Sequence, residues 1–334
     1  MKKVLIIRFS SLGDVILSTS VIEPLYKKGF EIDFMTFKPF DTLFERDYRV
    51  KNILSFEKKQ LKTVKDLKNI AHGLNKYDYV LDLHSNLRTK LISFFSNSKF
   101  YTYNKKGFQR RLLTVPFFKK FVNLRDFNVL KAYQDVLKKI GVFSNRLYTP
   151  EVILSKEEID KFKKRFPRPY VVLGAGARYK NKMYPFFGEV SKLFLKEGYD
   201  VVLIGSKEDK SIDNSVYPEE VIDLRGKLSI RESLSVISLS KLVVSNDSAV
   251  SHMARAVSVP VLMIYGATHP YFGFYPLKEE GDFIFKNLPC QPCDIHGKKS
   301  CKYKEPLCLT GIKPEFVLKR ALDTINRFNI KSSL

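Results

Sequence analysis

The sequence predicts an α/β protein with parallel sheets, and three observations support this fold class. Short apolar runs that fit buried strands alternate with segments of helical periodicity, as in a parallel sheet with crossover helices. This alternation loses its periodicity between 142 and 155 and then starts again. The halves are similar in length, and no low-complexity linker joins them. We therefore predict two domains, residues 1–150 and 151–334.

The elements of each domain follow from apolar spacing and run length. Leu61, Val64 and Leu67, for example, recur at helical spacing and mark one buried face. In the first domain we expect strands at 4–9, 31–37, 52–56, 78–83 and near 99–103, with helices at 14–28, 61–75, 87–96 and 126–141. In the second we expect strands at 170–174, 200–204, 220–224, 241–245 and 260–265, with helices near 156–166, 185–197, 230–239, 248–257 and 314–328.

The composition of the 334 residues is that of a globular protein, with 44% hydrophobic residues. No apolar run reaches 18 residues, so no transmembrane helix is expected. Arg8 and Asp14 interrupt what would be the apolar region of a signal peptide, which favours the cytoplasm.

The net charge of +23 favours an anionic partner: nucleic acid, acidic lipid or a phosphorylated substrate. Its spread along the chain weakens the nucleic-acid interpretation and also fits a general compositional bias. The densest basic runs, at 105–111, 118–121 and 161–166, carry Phe between the charges. Such runs suit an anionic membrane surface as well as RNA.

The first strand leads into a turn of Ser10, Ser11 and Gly13, and helical spacing begins at Asp14. Ligands of parallel sheets bind beyond the carboxyl ends of the strands, so Arg8 and Asp14 should lie where a ligand binds. Asp14 is also a favoured helix cap, and spacing alone prefers that simpler role.

The segment LDLHSNLRTK, residues 81–90, brings polar side chains to the same edge. His84, Asn86 and Arg88 follow the strand directly and are candidates for acceptor binding. His84 is equally able to cap the next helix.

In the second domain the segment 245–270 is the richest in polar and small residues after a strand. Asp247 and Ser248 begin a helix whose free amide groups and dipole suit a diphosphate, and Ala249 is small enough for close approach. An ordinary cap without a ligand explains Asp247 and Ser248 equally well. His252, one turn further, is more often a structural residue than a ligand in such a position.

The loop GAGARYKNKMYP, residues 174–185, also follows a strand. Gly174 and Gly176 fit a loop that passes close to a ligand, and Lys182 is able to reach a phosphate. The loop matches neither a dinucleotide-binding nor a P-loop motif, which weakens the dehydrogenase and NTPase interpretations.

All four cysteines, Cys290, Cys293, Cys301 and Cys308, lie in one short window. In a cytosolic chain this favours a structural zinc site over disulfides, with reduced thiols as the close alternative. No HExxH motif or acidic pair lies nearby, so no catalytic metal is expected.

Four segments together resemble the heptosyltransferases of glycosyltransferase family 9. They are IIRFSSLGDVILSTS, LDLHSNLRTK, GAGARYKNKMYP and SNDSAVSHMARAVSVPVLMIYGATHP, and CQPC…CLTGIKPEFVLKRAL near the end is also similar. They occur in family order over nearly the whole chain. The resemblance implies the GT-B fold: two Rossmann-like domains facing each other across a cleft, with the last helix returning to the first domain.

The resemblance also implies inverting transfer of heptose from ADP-heptose to a lipopolysaccharide-core hydroxyl, with no cofactor beyond the possible zinc. Asp14 matches the general base, which reverses the preference for a simple cap. The resemblance further assigns the donor to Gly174, Gly176, Lys182, Glu208, Asp247, Ser248, Ala249 and His252, with Lys182 also catalytic, and the acceptor to Arg8, Ser11, His84, Asn86 and Arg88. Gly205 and Glu208 are the weaker matches, near the donor ribose.

The implied partners are the nucleotide sugar, an anionic lipopolysaccharide precursor and the inner face of the cytoplasmic membrane, but no nucleic acid. Basic residues of 105–120 are candidates for acceptor contact. Tyr184 stands where the family usually has Trp, and Ala249 where it usually has Gly. These departures keep open a transferase of another nucleotide sugar, while a basic zinc-bearing RNA-binding protein is the alternative from a different class.

Overall fold

The computed structural model describes residues 1–332, with side chains for residues 1–330. The strands are β1 Lys3–Ile7, β2 Glu31–Phe37, β3 Val50–Phe56, β4 Tyr79–Asp82, β5 Lys99–Thr102, β6 Tyr170–Gly174, β7 Asp200–Leu203, β8 Ile222–Asp223, β9 Val243–Asn246, β10 Val261–Ile264 and β11 Gly281–Ile284. The helices are α1 Leu12–Ser18, α2 Ile22–Lys27, α3 Val64–Gly73, α4 Leu87–Phe95, α5 Gly107–Leu113, α6 Pro116–Lys119, α7 Val129–Leu137, α8 Lys156–Lys163, α9 Phe187–Lys196, α10 Lys207–Ile212, α11 Ile230–Ser238, α12 Ala249–Ala256, α13 Leu307–Thr310 and α14 Pro314–Ser332.

The chain divides into two compact units. Unit 1 contains residues 1–105 and 129–153, and unit 2 contains residues 106–128 and the chain from 154 onward. The chain passes from unit 1 to unit 2 after residue 153, whereas the predicted domains divide after residue 150. The segment 106–128 differs from the prediction, which placed it in the first domain.

Unit 1 is built on a five-stranded parallel sheet in the order β3-β2-β1-β4-β5. The central strand β1 is buried from Val4 to Ile7, because helices cover both faces of such a sheet. Leu5, Ile7 and Phe9 pack in its core. The predicted strands of this half are confirmed, with ends shifted by one to two residues.

The predicted helix 14–28 is two helices, α1 and α2, joined by a single 3₁₀ turn at Thr19–Val21. The hydroxyls of Ser18 and Thr19 donate to the carbonyls of Val15 and Ile16, at 2.6 and 2.7 Å. Such hydroxyl bonds within a helix compete with its backbone pattern and bend it, which accounts for the interruption.

Unit 2 is built on a six-stranded parallel sheet in the order β11-β10-β9-β6-β7-β8. The neighbouring strands β6, β7 and β9 bring their following loops to one edge. Helices α9 and α14 pack against each other beside this sheet. No helix in the described chain is both long enough and apolar enough to cross a bilayer.

The last helix, α14, packs on α9, β10 and β11 of unit 2. It packs there because Val317, Ala321 and Ile325 are buried in that unit's core. The expected return of this helix to the first domain stays a prediction.

The segment 106–128 joins unit 2 because Leu113 and Leu124 form a small core with Phe272. Its helices α5 and α6 and the edge strand β11 were not predicted. The basic and aromatic residues of 107–119 hide the short apolar spacing of α5 and α6.

Candidate active site

The carboxylate of Asp14 is held from two sides at the carboxyl edge of the unit 1 sheet. Arg8 follows β1 directly, and its NH2 lies 2.7 Å from Asp14 Oδ1. The hydroxyl and amide of Ser11 donate to Asp14 Oδ2 at 2.8 and 3.2 Å. Asp14 therefore contacts the start of α1, as the cap interpretation expects, and is also ion-paired at a strand end, where ligands of this fold bind.

Arg8 is almost completely buried and donates to the carbonyl of Leu83. Burial opposes its charge, but the carboxylate of Asp14 and the tyrosines Tyr133 and Tyr103 raise its pKa above the usual value. The guanidinium therefore stays charged and fixes the orientation of Asp14. Leu83, Tyr103 and Tyr133 were missed in the sequence, where no pattern connects them to Arg8.

His84 lies at the same edge and is neutral at physiological pH. Burial, followed by the positive charge of Arg8, lowers its pKa to about 3. Its ring meets that of Phe9 edge to face, with centroids 5.5 Å apart. Its buried Nδ1 atom makes no hydrogen bond among the described residues.

The other two candidates of this loop have structural contacts. Asn86 caps α4, since its Oδ1 accepts from the amide of Thr89 at 3.0 Å. Arg88 donates from Nε to the carbonyl of Leu61 at 2.9 Å and lies over the ring of Phe37. Acceptor binding by Asn86 and Arg88 stays a prediction.

Asp82 shapes the loop that presents His84, and sequence analysis did not single it out. Its buried carboxylate accepts from the amides of His84 and Ser85, at 3.0 and 2.8 Å. Ser85 has a positive φ of 52°, so this turn depends on side-chain support. An Asp at a strand end was the available signal, because Asp readily bonds to amides that follow it.

In unit 2 the loops after β6 and β9 meet through an ion pair. Lys182 Nζ lies 2.9 Å from Asp247 Oδ2, and Thr268 donates to the same oxygen at 3.0 Å. Burial acts to raise the pKa of Asp247, but the ammonium of Lys182 outweighs it and the pKa is lowered. The structure therefore brings together two residues that were singled out 65 positions apart in the sequence.

Asn246, the last residue of β9, is the organiser that the sequence analysis missed. Its side-chain amide donates to the carbonyl of Ala175 at 2.6 Å, and its Oδ1 accepts from the amide of Tyr184 at 2.9 Å. It therefore joins both ends of the loop that carries Lys182. Because Asn246 is fully buried, these bonds have no competition from water.

The N-terminus of α12 is suited to an anion. Ser248 occupies the cap position with extended backbone, but its hydroxyl makes no capping bond. That hydroxyl lies 3.0 Å from the hydroxyl of Ser245. The first-turn amides, starting at Ala249, therefore have no side-chain cap from Ser248, and the helix dipole favours negative charge beside them.

His252 is buried one turn further along α12, as part of a polar chain. Its Nδ1 lies 3.3 Å from NH1 of Arg255. Arg255 forms two bonds with Glu280, at 2.9 and 2.8 Å, and both side chains are almost fully buried. Arg255 and Glu280 were not expected from the sequence. Glu280 fixes Arg255, and Arg255 in turn contacts the ring of His252.

Gly174 and Gly176 are positions of close approach. A Cβ atom at Gly174 would lie 2.7 Å from Ser245 Oγ, and one at Gly176 would lie 2.1 Å from the carboxyl carbon of Asp209. The residue packed against this loop is thus Asp209, whereas the predicted Glu208 is exposed on the first turn of α10. Donor binding by Glu208 stays a prediction.

Tyr184 and Ala249 are the two departures from the family pattern. The side chain of Tyr184 packs in the core of unit 2. Its ring is buried among Phe187 and its neighbours, and its hydroxyl donates to the carbonyl of Ile312 at 2.8 Å. Tyr184 thus supports the Lys182 loop from beneath. Ala249 retains its free amide at the start of α12.

The four cysteines are reduced neighbours. Burial and then the thiols of Cys290 and Cys301 raise the pKa of Cys293 to about 11. Burial and then the other three thiols raise the pKa of Cys308 to about 12. Within the described residues, however, no group of three or more His, Cys, Asp or Glu is arranged to hold a metal ion. The thiols as placed do not form a zinc ligand set.

The basic residues proposed for acceptor contact differ in exposure, since Arg111 and Lys120 are exposed whereas Arg110 is buried. Arg110 is buried in unit 2, where its guanidinium lies 4.8 Å from the ring centroid of Phe127 and 5.2 Å from that of Phe274. Arg110, one of the basic residues of 105–120 proposed for acceptor contact, is therefore not an exposed charge, since its planar cation stacks between two rings.

Comparison with known proteins identifies the family. The family model described as glycosyltransferase family 9 (heptosyltransferase) matches residues 68–304. Lipopolysaccharide heptosyltransferase 1 of Campylobacter coli is 24% identical over 296 residues, which cover 80% of this chain and 85% of that protein.

Solved structures agree in fold. A glycosyl transferase family 9 protein from Veillonella parvula DSM 2008 has a TM-score of 0.75 at 18% identity, covering 98% of each chain. The E. coli ADP-heptose lps heptosyltransferase II has a TM-score of 0.70 at 21% identity, covering 98% of this chain and all of that one. The predicted α/β fold class of the GT-B type is confirmed. Because the family match spans more than half of the sequence, the chain belongs to glycosyltransferase family 9, the heptosyltransferases.

Proposed function

We propose that this chain is an inverting transferase that moves heptose from ADP-heptose to a hydroxyl of an anionic lipopolysaccharide precursor. The observation that carries the proposal is the Asp14 carboxylate, ion-paired with Arg8 at the sheet edge of a family 9 protein. Two of the three proteins named above are lipopolysaccharide heptosyltransferases, and one of these two is named for ADP-heptose. An RNA-binding protein leaves both Asp14 and the family match without explanation.

Asp14 acts as the general base in this proposal. The acceptor oxygen attacks the anomeric carbon, its proton passes to Asp14, and the electron pair of the breaking carbon–oxygen bond leaves with ADP. Arg8 holds the carboxylate in place through their ion pair, and the acceptor hydroxyl becomes acidic as its new bond forms, so its proton passes to the carboxylate. The neutral His84, with its unpartnered Nδ1, binds an acceptor hydroxyl beside it.

The donor diphosphate binds at the start of α12 in this proposal. Amides from Ala249 onward and the ammonium of Lys182 face the charge that grows on departing ADP, which is electrostatic stabilisation of the transition state. Asp247 positions the ammonium through their 2.9 Å ion pair. A phosphate at this place shares Lys182 with Asp247.

The reaction as proposed uses no catalytic metal, because amides and Lys182 supply the positive field. Initial rates are then unchanged by EDTA, and an EDTA-sensitive rate that manganese restores contradicts this part. A structural zinc among the cysteines is a separate proposal, which rests on their spacing in the sequence, since the described thiols are not arranged as a metal-binding group. Metal analysis of purified protein tests it: zinc bound by wild type and lost in a Cys290→Ser, Cys293→Ser variant supports it, and metal-free wild type refutes it.

The test of the proposed function is turnover with ADP-heptose and a lipopolysaccharide-core acceptor, compared between Asp14→Asn and Asp135→Asn. Asp135 lies exposed on α7 of the same unit, so it controls for the substitution itself. Asp14→Asn should lose about 10²–10⁴ in turnover, as expected for removal of a general base. ADP binding should stay within about twofold of wild type, since the base contacts only the acceptor.

Two results contradict the assignment. Retention of more than about a tenth of wild-type turnover by Asp14→Asn would exclude general-base catalysis by this residue. Wild-type turnover with UDP- or GDP-sugars, but not ADP-heptose, would favour the alternative of another nucleotide sugar. The anomeric configuration of the product, read by NMR, tests inversion.

A further inference from the structure

A cluster of exposed aromatic side chains stands out on unit 2, at α6 and the turn after it. Val115, Phe117, Phe118 and Phe121 are 40%, 66%, 44% and 68% exposed, and Lys120 lies among them. These five residues are called the aromatic–basic surface below. Single exposed apolar residues are ordinary, but a contiguous group of large ones marks an interaction site.

Contacts within the aromatic–basic surface show that it is continuous. The ring centroid of Phe117 lies 5.1 Å from that of Phe118 and 6.1 Å from that of Phe121, with edge-on geometry. The ammonium of Lys120 lies 5.6 Å from the Phe117 centroid and 5.0 Å from the Phe121 centroid. Three rings and one cation therefore form a single patch.

The charge around this patch is strongly positive. Residues 105–126 contain seven basic residues and one acidic residue, Asp126. A cavity of about 600 Å³ beside the patch is lined by Lys119, Lys120 and Arg125, and no acidic residue is among those described around it. The surface thus combines apolar rings with a positive field, and suits an anionic partner with an apolar interior.

We propose that the aromatic–basic surface docks this protein on an anionic lipid bilayer. The rings enter the boundary between headgroups and acyl chains, while the exposed Lys120 lies among the lipid phosphates. The role of this docking, which is to hold the enzyme beside a lipid-borne acceptor, rests on the proposed function. Binding to vesicles requires neither substrate.

Two other occupants fit the observations less well. A second copy of the chain would bring two equally basic segments together, at a net charge of +23 for each chain. A single-stranded RNA would need open ring faces for stacking, but Phe117 and Phe121 share Lys120 and meet edge-on.

The test is co-sedimentation of the full chain with vesicles of phosphatidylglycerol and phosphatidylethanolamine in equal parts, and with neutral phosphatidylcholine vesicles. Phe117→Ser, Phe121→Ser should reduce partition onto the anionic vesicles at least about tenfold, because two rings lose their burial. The matched control Phe94→Ser, Phe143→Ser removes two rings that are at least as exposed, on unit 1, and should leave partition unchanged.

Charge has its own matched pair of variants. Lys120→Gln should lower partition about fivefold, the effect of one basic residue at an anionic surface, whereas Lys192→Gln, exposed on α9, should not. Binding should weaken with salt and be much lower on neutral vesicles. Melting temperatures equal to wild type show that the variants are folded.

Three results would overturn the proposal: unchanged vesicle binding by the Phe117, Phe121 variant, equal binding to neutral vesicles, or a dimer in solution that this variant dissociates. Loss of RNA binding without any loss of vesicle binding would also overturn it. Failure of wild type to transfer heptose refutes the proposed function and leaves the vesicle result intact. Loss of transfer by the variant on vesicle-borne acceptor, but not on delipidated acceptor, supports both.

Discussion

Replacement of Gly174 by Ala tests how closely the donor loop must approach its neighbours. Gly174 ends β6, and a Cβ atom there would lie 2.7 Å from Ser245 Oγ and 2.9 Å from Cγ1 of Val250. Ordinary carbon contacts lie at about 3.5–4.0 Å, so one of the partners must move. Val250 belongs to the first turn of α12, and its displacement moves the amides proposed to bind the diphosphate.

The size of the effect follows from this overlap. Overpacking by one methyl group in a close-packed interior costs typically about 1–3 kcal/mol. For a unit of this size, each kcal/mol lowers the melting temperature by about 2–4 °C, so Gly174→Ala should melt about 2–12 °C below wild type. Because α12 shifts, ADP affinity should fall by about tenfold, the equivalent of about 1.4 kcal/mol.

The measurements are a thermal melt and ADP titration calorimetry, with Gly73→Ala as control. Gly73 lies at the end of α3, and a Cβ there meets nothing within 4 Å. This control should be neutral or stabilised by up to about 1 kcal/mol, since Ala favours helix. A Gly174→Ala protein that melts and binds ADP like wild type would refute the argument from close approach.

Three further predictions follow from the described contacts. Glu280→Gln should destabilise unit 2 by about 3 kcal/mol in thermal melts, because it leaves the buried charge of Arg255 unpaired. The control is Asp200→Asn, since the carboxylate of Asp200 pairs with the exposed Arg168, and a change as small as that of this control would contradict the prediction. Lys182→Ala should weaken both ADP-heptose binding and turnover, and an effect on turnover alone would exclude ground-state contact with the donor. The pKa of His84 is about 3 in the folded protein and about 6.5 in the unfolded chain. Between these pH values only the unfolded chain binds a proton at His84, so the free energy of unfolding should fall as the pH drops from about 6.5 to about 3. His84→Gln should flatten that acid limb in urea melts, and an unchanged slope would mean that His84 is not buried in its neutral form.

Local spacing was enough to predict ten of the eleven described strands and the strand ends that several candidate residues follow. A buried run followed by a turn and a helix fixes where β1 ends, so Arg8 and Asp14 fall at the sheet edge. The same argument predicted Lys182 and Asp247 after β6 and β9, and these strands are neighbours in the sheet. Asp14 was interpreted both as a helix cap and as a residue of the ligand site. The two interpretations are compatible, since its carboxylate contacts both Ser11 and Arg8.

Contacts between distant parts of the chain were not predictable from these patterns. Arg255 and Glu280 are 25 positions apart, and neither lies in a motif that suggests a partner. A buried ion pair depends on three-dimensional proximity and desolvation, which leave no periodic trace in the sequence. Asn246 was likewise hidden, because a polar residue at a strand end usually faces water rather than a second loop.

The segment 106–128 shows the same limit in a functional context. Its Lys and Arg residues suggested an exposed basic run, yet Arg110 is buried between Phe127 and Phe274 while Lys120 lies on an exposed group of rings. In the sequence, a basic residue that stacks inside a unit looks the same as one that faces a membrane. Only the neighbours of each cation separate the two roles, and the difference predicts that Arg110 substitutions lower stability while Lys120→Gln lowers vesicle binding.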